Sequence, residues 1–172
     1  IRSGNIGSVR IGQKLGIEKF KSFLTKINVI NKIEFDIEEV GTPIPFNWGK
    51  CKLATTSFGH GITTTPLQLA KGYAIISNGG FEVKPTIIKD KNEKLIKYKK
   101  RLVKTNVSKE INPILRKIVT NKEGTASLAN VAGYEIGGKT GTAEKIVSGK
   151  YSSKKKLILS FQYSQYLIQN MF

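Results

Sequence analysis

Cysteine, histidine and acidic residues are scarce in this chain of 172 residues. Cys51 is the single cysteine, so neither an intrachain disulfide nor a cysteine-rich metal site can form. His60, the single histidine, follows nine residues later. The two could act as a thiol nucleophile and its base, but they fall in a glycine-punctuated segment, predicted as loop, where nothing orients the imidazole. We therefore favour a bystander pair, and we expect neither a metal nor a cofactor.

Long apolar runs are also missing. No run is long enough to cross a bilayer, and residues 1–10 lack the apolar centre of a signal peptide. The first residue is not methionine, so we expect any anchor or export signal to lie in sequence outside this chain. With 39% apolar residues, the chain can bury one ordinary core, which indicates one domain or less.

Basic residues dominate the charge. There are 29 Lys and Arg against 12 Asp and Glu, giving a formal charge of +17. A basic nucleic-acid-binding module is one interpretation, because such residues release counterions from phosphates. The lysines are spread along the chain, however, with short runs only at Lys97–Arg101 and Lys154–Lys156, and the runs include no regular pattern of aromatics. A solvated basic surface is favoured, and no nucleic-acid partner is expected.

Apolar periodicity predicts three main helices. The first covers Ser8–Ile27, and the second starts at Pro66 with Thr65 as its cap and ends at Gly79-Gly80. The third surrounds the apolar positions of Ile111–Ile118 and stops near Gly124. The positions that define the first and third helices are Phe20, Phe23, Leu24, Ile27, Ile111, Ile114, Leu115 and Ile118.

Turn residues and β-branched residues predict the remaining elements. Val40–Trp48 should be irregular, and Pro85–Lys99 should form a hairpin. Thr125 should cap a short helix that runs to Ala129. Lys139–Lys145 has the threonine and glycine content of an edge or bulged strand. The predicted fold class is α+β, with helices packed against an antiparallel sheet.

The segment Gly138-Lys139-Thr140-Gly141-Thr142 carries the strongest chemical signal. On a strand edge, backbone N–H groups can stabilise the oxyanion of a carbonyl under attack, and Gly141 permits close approach. Lys139 supplies a positive charge for a substrate carboxylate. Thr140 and Thr142, two residues apart, present hydroxyls on one face that suit the same carboxylate.

A second polar motif, Ser3-Gly4-Asn5, lies far upstream. A serine hydroxyl can relay a proton, and an asparagine amide can both donate and accept hydrogen bonds. Taken alone, the motif is equally typical of an ordinary turn. Its position before the Lys139 motif gives it weight, because penicillin-recognising serine enzymes use these motifs in this order.

The same lysine also satisfies a competing pattern. Gly133–Thr140 matches the Walker A motif, in which Lys139 would bind a terminal phosphate and Thr140 would hold magnesium. That motif requires a buried strand before the first glycine and a helix directly after the threonine. The sequence around Gly133–Thr140 predicts neither, so a P-loop nucleotide-binding protein is the less favoured enzyme alternative.

Six segments together resemble one family. They are Ser3–Gly7, Ser57–Gly61, Thr65–Ala70, Ser77–Gly80, Gly124–Ala126 and Gly138–Ala143. Over roughly Arg2–Tyr151 the chain is similar to the rear part of the transpeptidase domain of class B penicillin-binding proteins. The resemblance implies a β-lactamase/transpeptidase-like fold, incomplete at both ends, with residues 1–156 as the domain portion.

The resemblance also implies roles and partners. Ser3 and Asn5 would serve proton relay and substrate binding, while Lys139, Thr140, Gly141 and Thr142 would bind the terminal carboxylate, with the Thr142 N–H in the oxyanion hole. The substrates would be peptidoglycan stem peptides, and β-lactams would acylate the enzyme. The intact parent would act at the periplasmic face of the bacterial inner membrane, within a cell-wall synthesis complex of division or elongation.

Two departures from the family pattern matter. The nucleophilic Ser-x-x-Lys motif should precede Ser3, and the match at Ser152–Lys156 is a fortuitous one in a lysine run. Residues 157–172 carry no charge and do not resemble the family, which suggests an aberrant or truncated tail after a reading-frame slip. We therefore expect an unpaired sheet edge beside Lys139, poor solubility and no turnover by the isolated chain.

Overall fold

A computed structural model describes residues 2–38, 41–88, 100–147 and 150–164. For residues 144–147 and 150–164 the description is of the backbone alone. The chain divides into two compact units. Asn5–Asn112 form the first, which we call the helical unit, and Ile1–Gly4 with Pro113–Met171 form the second, the strand unit.

The helical unit begins with two helices where the sequence predicted one. α1 covers Asn5–Leu15 and α2 covers Ile17–Lys26. Gly16 separates them with a φ of 84°, which a helix interior cannot accommodate and which glycine adopts without steric penalty. The prediction of a continuous helix over Ser8–Ile27 is therefore wrong at Gly16, although its apolar periodicity is correct on the C-terminal side.

Two further helices complete this unit up to Ser77. α3 covers Lys50–Thr56 and was not predicted, while α4 covers Pro66–Ser77 as expected. The Thr65 side chain accepts from the Gln68 N–H, and the Gln68 side chain accepts from the Thr65 N–H, which makes a complete capping box. The irregular backbone predicted between Val40 and Trp48 is confirmed for residues 41–48.

The core of the helical unit includes Ile75 of α4 and residues from the segments before and after that helix. Its buried apolar side chains are Ile27, Val29, Ile75, Leu102 and Val103. Gly79 and Gly80 end α4 with φ values of 91° and 93°, as the sequence predicted. At Gly80 a Cβ would lie 1.9 Å from the carbonyl oxygen of Val103, so the chain after α4 passes very close to the returning backbone.

The predicted hairpin at Pro85–Lys99 is only partly within the described residues. Residues 89–99, which include its turn and second strand, lie outside them. Thr86 has no regular structure, and Ile87 and Ile88 form a bend rather than a strand, so that part of the prediction is wrong. The reason is Asp36, whose carboxylate accepts from the Thr86 hydroxyl and the Ile87 N–H at 2.5 and 2.7 Å. These bonds lower the pKa of Asp36.

α5 covers Thr105–Thr120 and agrees with the predicted third helix. A turn at Gly124 follows it, and then a short 3₁₀ turn at Ser127–Ala129. Thr125 makes no helix cap, because the 3₁₀ turn has no side-chain cap and the Thr125 hydroxyl bonds Thr140 instead. The prediction of Thr125 as a cap is therefore wrong.

The strand unit contains two long strands, β1 (Ile136–Val147) and β2 (Lys150–Ser164). They pair antiparallel, with Lys139 opposite Phe161 and Thr142 opposite Ile158. A bulge between Glu144 and Lys145 confirms the predicted irregular strand. The neighbouring strand that the sequence analysis expected to be missing is present, so the predicted lack of a partner for the Lys139 strand is wrong.

Within the described part of the chain, no helix is both long and apolar enough to span a membrane.

Candidate active site

Lys139 lies in the middle of β1 and is half-buried. Its Nζ donates to the carbonyl oxygen of the next residue, Thr140, at 2.5 Å. Burial lowers the pKa of Lys139, since removal of water disfavours the charged ammonium. An anion bound beside the ammonium would oppose that effect.

The pleat of β1 divides the motif between two faces. Side chains alternate along a strand, so Gly137, Lys139 and Gly141 share one face, and Thr140 and Thr142 share the other. Along β1 itself, the lysine is therefore flanked on its own face by two glycines, and the residue paired opposite it on β2 is Phe161. Gly141 and Thr142 are exposed, which leaves the strand accessible from solvent at this point.

Thr140 has a partner that the sequence did not reveal. Its hydroxyl donates to the hydroxyl of Thr125 at 2.9 Å. Arg116 of α5 adds a second attachment, donating from Nη1 to the carbonyl oxygen of Ile136 at 2.8 Å. These contacts hold the first half of β1 against α5 and the loop that follows it. The presence of Gly124-Thr125-Ala126 among the family-like segments was the one signal that could have indicated them.

Ser3 and Asn5 belong to different units. Ser3 belongs to the strand unit, is exposed and has a φ of 56°, which is uncommon for a residue with a side chain. Asn5 is exposed and begins α1 in the helical unit. Arg2, next to Ser3, pairs with Glu123 of the loop after α5 at 2.6 Å. Ser3 therefore precedes the first helix, whereas Asn5 is its first residue.

The structure contradicts the P-loop alternative. β1 begins at Ile136, inside the Walker-type pattern, and continues through Lys139 to Val147. A P-loop needs a loop around the phosphates and a helix after the threonine. Here the lysine and Thr140 are in an extended strand, so successive N–H groups point in alternate directions and cannot surround a phosphate.

Cys51 and His60 are not arranged as the sequence implied. Cys51 is exposed in α3 rather than in a loop, while His60 follows the end of that helix and stacks on Phe58 at 6.1 Å between ring centroids. Among the described residues, no group of three or more His, Cys, Asp or Glu is placed to hold a metal ion.

Comparison with known proteins identifies the family. The model of the penicillin-binding protein transpeptidase domain matches residues 1–165. This chain belongs to that family. Stage V sporulation protein D of Bacillus subtilis (strain 168) is 34% identical over 168 residues, which cover 91% of this chain and 26% of that protein. A probable peptidoglycan D,D-transpeptidase FtsI of Caulobacter vibrioides (strain NA1000 / CB15N) is 31% identical over 145 residues, which cover 83% of this chain and 24% of that protein.

Solved structures of transpeptidase domains share the fold. The apo domain of Burkholderia pseudomallei penicillin-binding protein 3 superposes with a TM-score of 0.83 at 27% identity, covering 92% of this chain and 48% of that one. Penicillin-binding protein 3 of Mycobacterium tuberculosis, complexed with aztreonam, gives 0.81 at 26% identity, covering 95% of this chain and 40% of that one. The chain therefore spans about a quarter of its curated relatives and under half of these structures.

Proposed function

We propose that this chain is the rear portion of a peptidoglycan D,D-transpeptidase that binds penicillin and cross-links stem peptides by serine acyl transfer. The carrying observation is Lys139, a half-buried cation between two glycines on one face of β1. The names of its relatives support the activity, since one of them is a probable peptidoglycan D,D-transpeptidase. A solved relative in complex with aztreonam supports β-lactams as ligands.

Thr140 and Thr142, on one face of β1, would bind the carboxylate that stem peptides and β-lactams share, and Lys139, on the opposite face, would attract it through its charge. Partial burial weakens the screening of the ammonium by water, so its attraction for a carboxylate is stronger than on an open surface. The bound carboxylate in turn favours the protonated lysine. Thr140 and Thr142 add hydroxyl donors, and Gly141 leaves room for the ligand to approach the strand.

The acyl transfer itself needs a nucleophile that we assign to a Ser-x-x-Lys motif outside this chain. The serine oxygen would bond to the carbonyl carbon of the substrate, and the bond to the leaving amine would break. The N–H of Thr142 would stabilise the oxyanion formed on the way. The Ser3 hydroxyl would pass a proton to the leaving nitrogen, while the Asn5 amide would hold the substrate backbone.

The place of action follows from the substrate. Cross-linking of stem peptides occurs where peptidoglycan is assembled, so we assign the intact parent to the periplasmic face of the inner membrane. A cell-wall synthesis complex of division or elongation would be its setting. The departure of residues 157–172 from the parental reading frame stays a prediction, and sequencing the coding DNA would check it.

Labelling with a fluorescent penicillin tests this proposal. In the gene product that carries this chain with its own flanking sequence, we expect one labelled serine, mapped by peptide mass spectrometry to a segment before residue 1. The variant Lys139→Ala should slow labelling about 100-fold, as loss of one electrostatic stabiliser typically does. The exposed lysine of α5 provides the control variant, Lys117→Ala, which should label normally.

Two outcomes would contradict the proposal. Covalent labelling of the isolated chain, for example at Ser152 or Ser153, would show that the nucleophile lies within residues 1–172. Equal labelling rates for the Lys139→Ala and Lys117→Ala variants would remove Lys139 from carboxylate recognition.

A further inference from the structure

The hydroxyl contact between Thr125 and Thr140 has no role in the function proposed above. Thr140 Oγ1 donates to Thr125 Oγ1 at 2.9 Å, between residues fifteen apart in sequence. Both side chains are accessible, Thr125 being exposed and Thr140 partly so. A solvated hydroxyl pair contributes little to folding, since water offers equivalent partners. The contact is therefore more informative about the proposed carboxylate site, because Thr140 lies on β1.

The loop that carries Thr125 is fixed by its backbone. We call residues 121–125 the α5 loop. The Gly124 N–H donates to the Asn121 carbonyl at 2.8 Å, and the Glu123 N–H donates to the Asn121 side chain at 2.8 Å. At Gly124 a Cβ would lie 2.0 Å from the carbonyl oxygen of Ile118, so only glycine fits there. Thr125 thus follows a residue pressed against the end of α5.

The strand on the other side of the contact is anchored to the same helix. Arg116 of α5 donates to the carbonyl oxygen of Ile136 at the start of β1. Both residues are therefore anchored to α5: Thr125 through the α5 loop, and Thr140 through the start of β1. Because both residues are anchored, the hydrogen bond from Thr125 can hold the Thr140 hydroxyl in one orientation. Binding sites need such neighbouring contacts to orient the residues that touch the ligand.

Hydrogen-bond counting shows why the pair matters for an anion. A threonine hydroxyl has one proton and two acceptor lone pairs. Without a ligand, the two hydroxyls share one hydrogen bond. To bind a carboxylate, Thr140 must point its proton at the ligand. Thr125 can then rotate its own proton onto Thr140, and each hydroxyl polarises the next.

We propose that Thr125 is a positioning residue of the carboxylate site, which orients the Thr140 hydroxyl and donates to it when an anionic ligand binds. This inference rests on the proposed function, because Thr125 can position Thr140 for a ligand only if Thr140 binds the substrate carboxylate. It concerns the carboxylate of the ligand rather than a neutral acyl group, because a charged acceptor gains more from an oriented hydroxyl donor than a neutral carbonyl does.

The orientation of Thr140 can be measured in the 172-residue chain without any ligand. Three-bond NMR couplings from the threonine methyl carbon report the χ1 rotamer. We expect one Thr140 rotamer in the wild-type chain and in the Thr125→Ser variant, and averaged couplings in Thr125→Val and Thr125→Ala. Thr142 is the internal control and should not change. An unchanged Thr140 coupling in both hydroxyl-free variants would overturn the proposal.

The ligand step is measured in the gene product with its flanking sequence. We compare acylation by benzylpenicillin with acylation by its methyl ester, which lacks the anionic carboxylate. Thr125→Val should slow reaction with the acid about fivefold, the loss expected for one hydrogen bond between uncharged groups, through weaker binding rather than a slower chemical step. Reaction with the ester should be unaffected, and Thr125→Ser should react as wild type. An equal loss for acid and ester, or a faster reaction with the acid, would overturn the proposal.

The variant Thr140→Val separates this inference from the proposed function. If it does not slow reaction with the acid, the assignment of the carboxylate to Thr140 is wrong. If it does slow that reaction while Thr125→Val does not, only the inference about Thr125 is wrong. When both are correct, the double variant should be no slower than Thr140→Val, because the two hydroxyls act as one unit.

Discussion

At the residue scale, the burial of Lys139 in the candidate site makes the stability of the folded chain depend on pH. Burial lowers its pKa in the folded chain from an ordinary value of 10.5. Between the lowered value and 10.5, the unfolded chain binds more protons, so folding is favoured as the pH rises through that window. Below the window the ammonium is charged in both states, and the folded state carries the desolvation penalty.

We therefore predict that Lys139→Met stabilises the chain near neutral pH and that this advantage shrinks as the pH approaches about 10. Urea unfolding midpoints of both proteins across that range provide the measurement. The pKa of Lys71 is also lowered by burial, but Lys71 is present in both proteins, so its contribution cancels in the difference between their stabilities. Lys117→Met is the control and should show no such trend. A difference that grows with pH would contradict the argument.

Gly80 offers a second prediction at the residue scale. A Cβ there would meet the Val103 backbone at 1.9 Å, whereas at Gly59, with a similar positive φ of 84°, nothing lies within 4 Å. Gly59→Ala should cost about 1 kcal/mol of stability from backbone strain alone. Gly80→Ala should cost a further 1–3 kcal/mol or so, because the backbone must move. Chemical denaturation of the two variants gives the comparison, and equal losses would show that the close approach is unimportant.

At the scale of elements, α4 depends on its first turn. Thr65 and Gln68 satisfy each other's backbone N–H groups, and the fully buried Gln68 side chain also donates to the Asn31 carbonyl. Gln68 therefore joins the cap of α4 to the segment that follows α2. This explains why a polar side chain occupies a position with no solvent exposure.

We predict that Thr65→Ala destabilises the chain by about 1 kcal/mol and that Thr65→Ser largely preserves stability. Gln68→Met should cost more, about 2–4 kcal/mol, because it leaves the Thr65 N–H and the Asn31 carbonyl without partners. Gln68→Glu should be at least as damaging, since it keeps the acceptor for Thr65 but buries a carboxylate against the Asn31 carbonyl oxygen. Thermal or urea unfolding should show the smallest loss of stability for Thr65→Ser, a larger loss for Thr65→Ala and the largest losses for the two Gln68 variants. A Gln68→Met variant as stable as Thr65→Ser would refute the account.

At the scale of the whole molecule, charge and exposed apolar surface act in opposite directions. The formal charge of +17 keeps chains apart, while Ile6 and Ile11 of α1 are 73% and 71% exposed. We predict that Ile6→Gln with Ile11→Gln raises the solubility limit severalfold and reduces binding of a hydrophobic dye. The neighbouring exposed lysine provides the control variant Lys14→Gln, which should lower solubility. Light scattering against concentration measures both, and equal improvement by the control would contradict this view.

The elements that could be predicted are those with local signals. α4 was readable because Thr65-Pro66 starts a helix and Gly79-Gly80 ends it, whatever lies around them. α5 was readable from its apolar face. The break at Gly16 was not, because an isolated glycine is tolerated within many helices. β2 was missed because residues 157–164 show no clear alternation, and strand pairing depends on a partner distant in sequence.

The sequence by itself determined the family, the positions of the polar motifs and the residue types at the site, because those depend on chemistry carried by neighbouring residues. It also predicted that the Lys139 motif is a strand and not a phosphate loop. Only the tertiary structure placed Thr125 on Thr140, pressed Gly124 against α5 and paired β1 with β2. These contacts join residues far apart in the chain, and their geometry follows from backbone paths that no local pattern encodes.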